Sequence, residues 1–166
     1  MKVEEIAQLV RDQCGTESVI DIDLTSSPHS LIIRQEDIVK VCQELHENEQ
    51  MYFDMLSCLT GIDNGPEAGT LELIYNLYSI PYDVSLMLKV FVPRNMEQDS
   101  LPSIDSVAHI WRTADWHERE TFDLIGIQFE GHPDLRRILL PANWEGYPLR
   151  KDYKHQDYYH GIKVEY

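Results

Sequence analysis

Two stretches of alternating residues constrain this chain more than anything else in it. Leu71, Leu73, Tyr75 and Leu77 fall on one side of a period-two pattern. Val84, Leu86, Leu88, Val90 and Val92 do the same, with Ser85, Met87 and Lys89 between them. Side chains alternate across a strand, so each stretch has one apolar face that needs a core. Ser79–Asp83 is short enough to turn one strand back on the other. The pair reads as an antiparallel hairpin with one buried face.

The rest of the chain has to supply the cover for that face. Val3, Ile6, Ala7 and Val10 repeat at helical spacing, Glu4 and Glu5 open the first turn, and Gly15 stops the run, predicting a helix over residues 2–13. Residues 18–24 alternate as a half-wet strand, Thr25–Pro28 turns, and Leu31–Ile33 returns, a second hairpin. Ile38, Val41, Cys42 and Leu45 form the stripe of a helix over residues 35–46. Residues 51–62 read either as a short helix running into a strand or as a strand alone, ahead of a turn over residues 63–66. After a polar loop over residues 93–102, Ser103 is expected to cap a helix that turns Val107, Ile110 and Trp111 inward. A second helix is expected over residues 115–124, with Trp116, Glu120 and Asp123 at i, i+4 and i+7. The fold class is α+β: a mainly antiparallel sheet with helices packed on it.

Past Gly131 the pattern fails. His132–Pro133, Pro141, Gly146 and Pro148 interrupt every long helix or strand, while aromatic and arginine residues are frequent. The expected organisation is an α+β domain over residues 1–130 and an extended docking segment over residues 131–166, kept sticky by Tyr158, Tyr159 and Tyr166. Such a segment must lie on its own domain or on a partner. Arg, Trp and Tyr are the residues that dominate binding hot spots.

Charge narrows the partners. The net charge of −15 opposes nucleic acid as the main partner and direct adhesion to an anionic bilayer. Residues 1–114 carry 19 acids and 7 bases, net −12, whereas residues 115–166 carry 10 and 7, net −3. The nearly neutral end suits a surface that becomes covered. Cys14, Cys42 and Cys58 follow no CxxC pattern, which predicts reduced, buried thiols. The first residues are acidic where a signal peptide needs bases, and no stretch approaches the length of a membrane span. The expectation is a chain that is soluble and cytosolic, or bound to a membrane only through another chain.

Catalytic templates do not fit. His117, Glu120, Asp123 and His132 suggest metal ligands, the basis of a stand-alone metalloenzyme reading, but there is no HExxH and no pair of histidines four apart. Ser57 and Cys58 lack a partner base, and no GxGxxG or GxxxxGK[ST] cradles a phosphate. Glu118 and Glu120 flank Arg119, with Arg136 and Arg137 further on, a pattern that reads as a hydrogen-bonded charge network. A free regulatory binding module is a third reading.

These residues carry a resemblance. The runs Glu118–Ile127, Phe129–Leu139 and Pro148–Tyr153 resemble the signature of the C subunit of NADH:quinone oxidoreductase, the thirty-kilodalton family of respiratory complex I. Leu77-Tyr78-Ser79, and Trp111 followed by Ala114-Asp115-Trp116, are similar to weaker family segments; Thr113 departs where a small residue is common. The likeness runs from about Phe53 onward. It implies a non-catalytic subunit with no cofactor or active site of its own. The NADH, FMN, iron–sulfur clusters and quinone belong to the complex around it. It also implies docking on the large quinone-site subunit, which is hydrogenase-like, and on other peripheral-arm subunits. The complex passes electrons from NADH to quinone, coupled to ion translocation, and places this chain on the cytoplasmic side of the inner (plasma) membrane. The docking set that the resemblance implies is Glu118, Arg119, Glu120, Asp123, Gly126, His132, Pro133, Asp134, Arg136, Arg137, Pro148, Leu149, Arg150, Lys151, Asp152 and Tyr153. Gly131 and Gly146 are expected to allow tight turns, and Pro133, Pro141 and Pro148 to keep the segment extended. A homologous subunit of a membrane-bound nickel–iron hydrogenase or a ferredoxin-linked complex is the rival within the resemblance.

Overall fold

The computed structural model describes residues 2–95 and 100–163; Tyr166 and part of the polar loop after Pro93 lie outside them. The central hairpin forms as the alternation predicts. β4 (Thr70–Ser79) and β5 (Val84–Pro93) pair antiparallel, with Leu71 opposite Val92, Leu73 opposite Val90, Tyr75 opposite Leu88 and Leu77 opposite Leu86. All eight of these side chains are buried. Each contributes about 1.5–3 kcal/mol of transfer free energy for a fully buried apolar side chain.

α1 (Val3–Cys14) and β1 (Val19–Asp23) precede this hairpin, followed by β2 (Ser30–Ile33). α1 buries Val3, Ile6, Ala7, Val10 and Cys14. In its first turn the Glu5 carboxylate accepts the Lys2 N–H at 2.9 Å. β1 and β2 form the expected antiparallel pair. One 3-10 turn over Gln35–Asp37 leads into α2 (Ile38–Glu47), which buries Ile38, Val41, Cys42 and Leu45. β3 (Met55–Asp63) then pairs antiparallel with β4. Of the two readings left open for residues 51–62, the strand is the one that forms. The five-stranded sheet runs β1-β2-β5-β4-β3, and β2–β5 is its one parallel pairing. With its antiparallel majority and its helices, the fold is α+β, as expected.

The helix expected from Ser103 does not form. Ser103–Asp105 is β6, paired in parallel with β7 (Gln128–Glu130). Ile104 lies opposite Phe129, and both are buried. The Ser106 hydroxyl accepts the Ala108 N–H at 3.1 Å while donating to a carboxylate further along the chain. Only one turn of the expected helix remains, where Ile110 and Trp111 donate their N–H groups to the Val107 carbonyl at 2.9 and 3.1 Å. Long-range pairing at Ile104 outweighs the local capping pattern.

α3 (Ala114–Ile125) covers the last strand. It lies close because β3 offers no side chain at Gly61. A Cβ there would sit 2.6 Å from Thr121 Cγ2 and 3.3 Å from Ile125 Cγ1. Over residues 131–163 the chain is turns, bends and irregular backbone, apart from a two-residue ladder between β8 (Tyr158–Tyr159) and β9 (Ile162–Lys163). Cys14 and Cys42 are buried as expected, whereas Cys58, on the edge strand, is only half-buried. Among the described residues, no helix is long and apolar enough to cross a membrane.

Replacing Gly61 with Val should force α3 away from β3 and destabilise the fold by about 1–3 kcal/mol, the range for overpacking a filled site. Denaturant unfolding of the variant beside the parent checks this.

Candidate functional site

α3 buries charge where an ordinary amphipathic helix buries apolar groups. Ala114, Glu118, Thr121 and Ile125 follow helical spacing and are buried, and so are Arg119 and Asp123. The helix carries these groups inward because a second layer lies over it. That layer is the C-terminal strap, residues 131–163.

Four contacts fasten the strap. The first is at His132, whose side chain has no exposed surface. Its Nε2 approaches the Asp115 carbonyl at 3.1 Å, and its Nδ1 accepts the Asp134 N–H at 3.0 Å. Accepting at Nδ1 places the ring proton on Nε2, which donates to that carbonyl.

Asp123 forms the second. Its Oδ2 accepts the N–H groups of Ile138, Leu139 and Leu140 at 3.0, 2.7 and 2.9 Å. Its Oδ1 accepts Arg137 Nη1 at 2.8 Å. The same Nη1 donates to the Asp123 carbonyl, and Nη2 reaches the Gly146 carbonyl. Three successive backbone donors on one oxygen make an anion nest, occupied here by the chain's own carboxylate.

The third lies at the C-terminus of α3. Arg150 donates from Nε to the Ile125 carbonyl at 2.6 Å and from Nη2 to the Gly126 carbonyl at 3.0 Å. A guanidinium there satisfies orphan carbonyls and sits favourably on the helix dipole. Gly126 takes the left-handed conformation that ends the helix, and a Cβ on it would lie 2.6 Å from the Tyr147 ring. The Arg137 and Arg150 guanidinium carbons stand 5.2 and 5.3 Å from the centre of that ring.

The fourth is Asp63, at the end of β3. Its carboxylate accepts the Lys151 N–H at 2.8 Å, the Gly65 N–H at 2.9 Å and Arg94 Nε at 3.0 Å. Arg94 also pairs with Asp152. Beyond it, Trp144 Nε1 donates to the Tyr153 hydroxyl at 3.2 Å.

Between the nest and the strap's start lies Glu118. Ser106 O–H donates to Oε2 at 2.5 Å and Val107 N–H donates to Oε1 at 2.8 Å. Burial pushes this carboxyl up to about 7; the Ser106 and Val107 donors pull it down and Asp115 adds to the rise. Asp123 and Asp63 behave oppositely. Burial raises both, but their backbone and arginine donors outweigh it and hold them below the usual carboxylate value.

The structure distributes the expected docking residues over two layers. Glu118, Arg119, Asp123 and Gly126 are buried inside the chain, and His132, Arg137 and Arg150 face inward from the strap. Glu120, Pro133, Asp134, Arg136, Leu149, Lys151 and Asp152 are exposed, while Pro148 and Tyr153 are half-buried. Arg136 pairs with neighbouring Asp134 at 2.9 Å. Trp116, Leu139 and Leu149 are 63%, 59% and 57% exposed. The charge network read from Glu118 to Arg137 is present, but its main partners are backbone groups. The residues of the metalloenzyme alternative do not converge: Asp123 is filled by four donors and His132 is engaged at both nitrogens. Among the described residues, no three His, Cys, Asp or Glu side chains are placed to hold a metal ion. Sequence reasoning missed Asp63, Arg94, Ser106 and Tyr147. One signal was present for Asp63: it falls in register with Leu59 on the apolar side of β3.

Comparison with known proteins gives this arrangement a family. Residues 31–159 match the family described as the respiratory-chain NADH dehydrogenase 30 Kd subunit, and the chain belongs to it. It is 53% identical over 123 residues to the C subunit of NADH-quinone oxidoreductase from Chloroherpeton thalassium, covering 74% of this chain and 48% of that one. Identity to the like-named protein of Chlorobium phaeobacteroides is 48%, covering 74% and 70%, and to that of Geobacter sulfurreducens 40%, covering 82% and 80%. This chain thus spans about half of the first relative's length. A chain in the structure of an archaeal membrane-bound sulfane sulfur reductase shares the fold, with a TM-score of 0.73 at 22% identity over 93% of this chain and 86% of that one.

Asp123→Asn should cost about 3 kcal/mol, the lower end for breaking a buried ion pair. Because Asp63 and Asp123 lie low in the folded state, the stability they supply is present above the ordinary carboxylate value and is lost as pH falls through their folded values. Urea midpoints should therefore fall on acidification below about pH 4, less steeply in Asp123→Asn than in the parent.

Proposed function

We propose that this chain is a non-catalytic scaffold subunit of the peripheral arm of an NADH:quinone oxidoreductase. In this reading it holds no cofactor, and electrons pass from NADH through FMN and iron–sulfur clusters to quinone in neighbouring subunits, coupled to ion translocation. It docks on the large quinone-site subunit through the strap, at the cytoplasmic side of the membrane. The observation that carries the reading is the strap itself. Its polar groups are spent on the chain's own carboxylates and helix end, while Leu139, Leu149 and, on α3, Trp116 are left outward. Exposed anchors on a rigidly held backbone are what a stable interface needs, because little ordering entropy remains to be lost on binding.

Membership in the family supports the reading, as do relatives at 40–53% identity that carry the name of the NADH-quinone oxidoreductase C subunit. The sulfane sulfur reductase neighbour supports the fold alone, so the hydrogenase-type alternative rests on gene neighbourhood to decide. The metalloenzyme alternative is disfavoured by the internal partners of Asp123 and His132.

Two variants separate docking from folding. Leu149→Asp and Arg136→Ala alter exposed side chains and should leave the circular dichroism and melting of the isolated chain within about 0.5 kcal/mol of the parent. Both should reduce recovery of the assembled complex on native gels and in affinity co-purification. Normal assembly and quinone reductase activity in both would sink the docking claim. Arg137→Ala should behave differently: its loss unpairs Asp123 and loosens the strap before any partner is met.

A further inference from the structure

We propose that the tip of the β4–β5 hairpin, with the segment before β3 that it touches, is a second docking surface, fitted to a cationic segment of a neighbouring polypeptide. It adds to the strap reading and does not rest on it. Hairpin tips are ordinarily built from small and polar turn residues. This one reads Ser79-Ile80-Pro81-Tyr82-Asp83. Ile80 and Tyr82 are 59% and 50% exposed, and Met55 and Tyr52, on the adjoining segment, are 43% and 41% exposed. Asp54 Oδ1 accepts the Ile80 N–H at 2.9 Å, and the Tyr82 O–H donates to the Glu49 carbonyl at 2.5 Å. Within the turn, the Tyr78 O–H donates to Asp83 Oδ1 at 2.5 Å. These bonds bring the four apolar side chains to one end of the sheet, and exposed apolar groups that cluster mark interaction sites where scattered ones do not. The backbone beneath is fixed. Tyr52 holds φ at 37°, a left-handed value that a bulky residue keeps only where its surroundings impose it. Next to it, the Phe53 N–H donates to the Leu45 carbonyl at 2.8 Å, and the Phe53 carbonyl accepts Trp111 Nε1 at 3.0 Å. Anchors set outward on so rigid a base lose little freedom when a partner covers them.

Two hollows flank this surface. One, of about 300 Å³, opens between α1 and the tip over Ile6, Met51, Phe53 and Tyr82. The other, of about 200 Å³, lies beside Met55 against Ile110 and Trp111. Charge then selects the occupant. Residues 41–88 hold eight acids and no Lys or Arg. At this end Glu47, Glu49 and Asp83 are exposed, and Glu5 reaches the first hollow from α1. Arg112 is the one cation that lines either hollow. A second copy of the chain would set these acids against themselves across a two-fold axis. An anionic bilayer is opposed by the net charge of −15. The complement is a polypeptide segment with apolar side chains for the hollows and Lys or Arg at their rim. β4 is ten residues long, so the tip stands about 30 Å from the end of the sheet where the strap is clasped to Asp63. A partner at the tip therefore meets a different part of the molecule from a partner at Leu149.

The test is photo-crosslinking in the assembled complex, with a benzophenone side chain installed at Ile80 in one sample and at Leu149 in another. Mass spectrometry identifies the joined peptides. Position 80 should join to another chain, at a segment where Lys or Arg flanks apolar residues. Ile80→Ser and Glu49→Lys change exposed side chains and should leave the circular dichroism and melting of the isolated chain as in the parent. Each should speed release of the chain from the complex by about tenfold, followed on native gels. Raising the salt should shrink the difference between Glu49→Lys and the parent, since the charges at this rim are screened. The surface is overturned if position 80 joins to nothing, to a second copy of this chain, or to a segment without Lys or Arg. It is equally overturned if either variant is released at the parent's rate. A crosslink from position 80 with none from Leu149 removes the strap reading and keeps the tip. The reverse result removes the tip alone.

Discussion

The Asp123 carboxylate holds the C-terminal layer of this molecule in place. Three consecutive backbone N–H groups and an arginine converge on it, from residues that come 14 to 17 positions later in the chain. Residues 138–140 form no helix or strand, so their N–H groups have no ladder to join. A buried backbone donor without an acceptor costs about 1–3 kcal/mol. One ionised side chain removes that cost for three donors and pins the strap at the same point. Asp63 does the same for Lys151, and Arg150 does the complementary work for the helix carbonyls.

This explains how an irregular segment lies stably on an acidic domain. Its affinity for the domain comes from discrete polar clasps instead of a continuous apolar stripe. Of the apolar groups it carries, Leu135 packs against the core, while Leu139 and Leu149 remain outside. A strap held by apolar burial would have hidden these exposed side chains. The division of labour between inward charge and outward apolar groups inverts the usual order, and it follows from the backbone needs of a segment broken by Gly146 and Pro148.

Much of the fold was legible because it depends on local periodicity. The β4 and β5 alternation, the stripes of α1 and α2 and the ends of α3 all follow from period two or period 3.6. Two places were not. β3 carries a register shift between Leu56 and Cys58, which breaks its alternation, and Gly61 gives it no side chain where α3 approaches. Ser103 has the chemistry of a cap, yet Ile104 is claimed by Phe129, far along the chain. The site was legible in residue type but not in direction. Glu118, Asp123, Arg137 and Arg150 stood out, yet nothing local shows that they face inward. Asp63 is 88 positions from the amide it holds, a separation over which no spacing rule acts.

The buried carboxylates differ from one another in how their charge is held. Asp123 and Asp63 have arginines and several backbone donors, so each keeps its charge and serves as a fixed clasp. Glu118 has two donors, and its burial is not offset by a cation. The same residue class thus yields two charged clasps and one carboxyl whose charge burial opposes. Stability alone would favour an apolar or amide side chain at Glu118, since burying an uncompensated charge is costly.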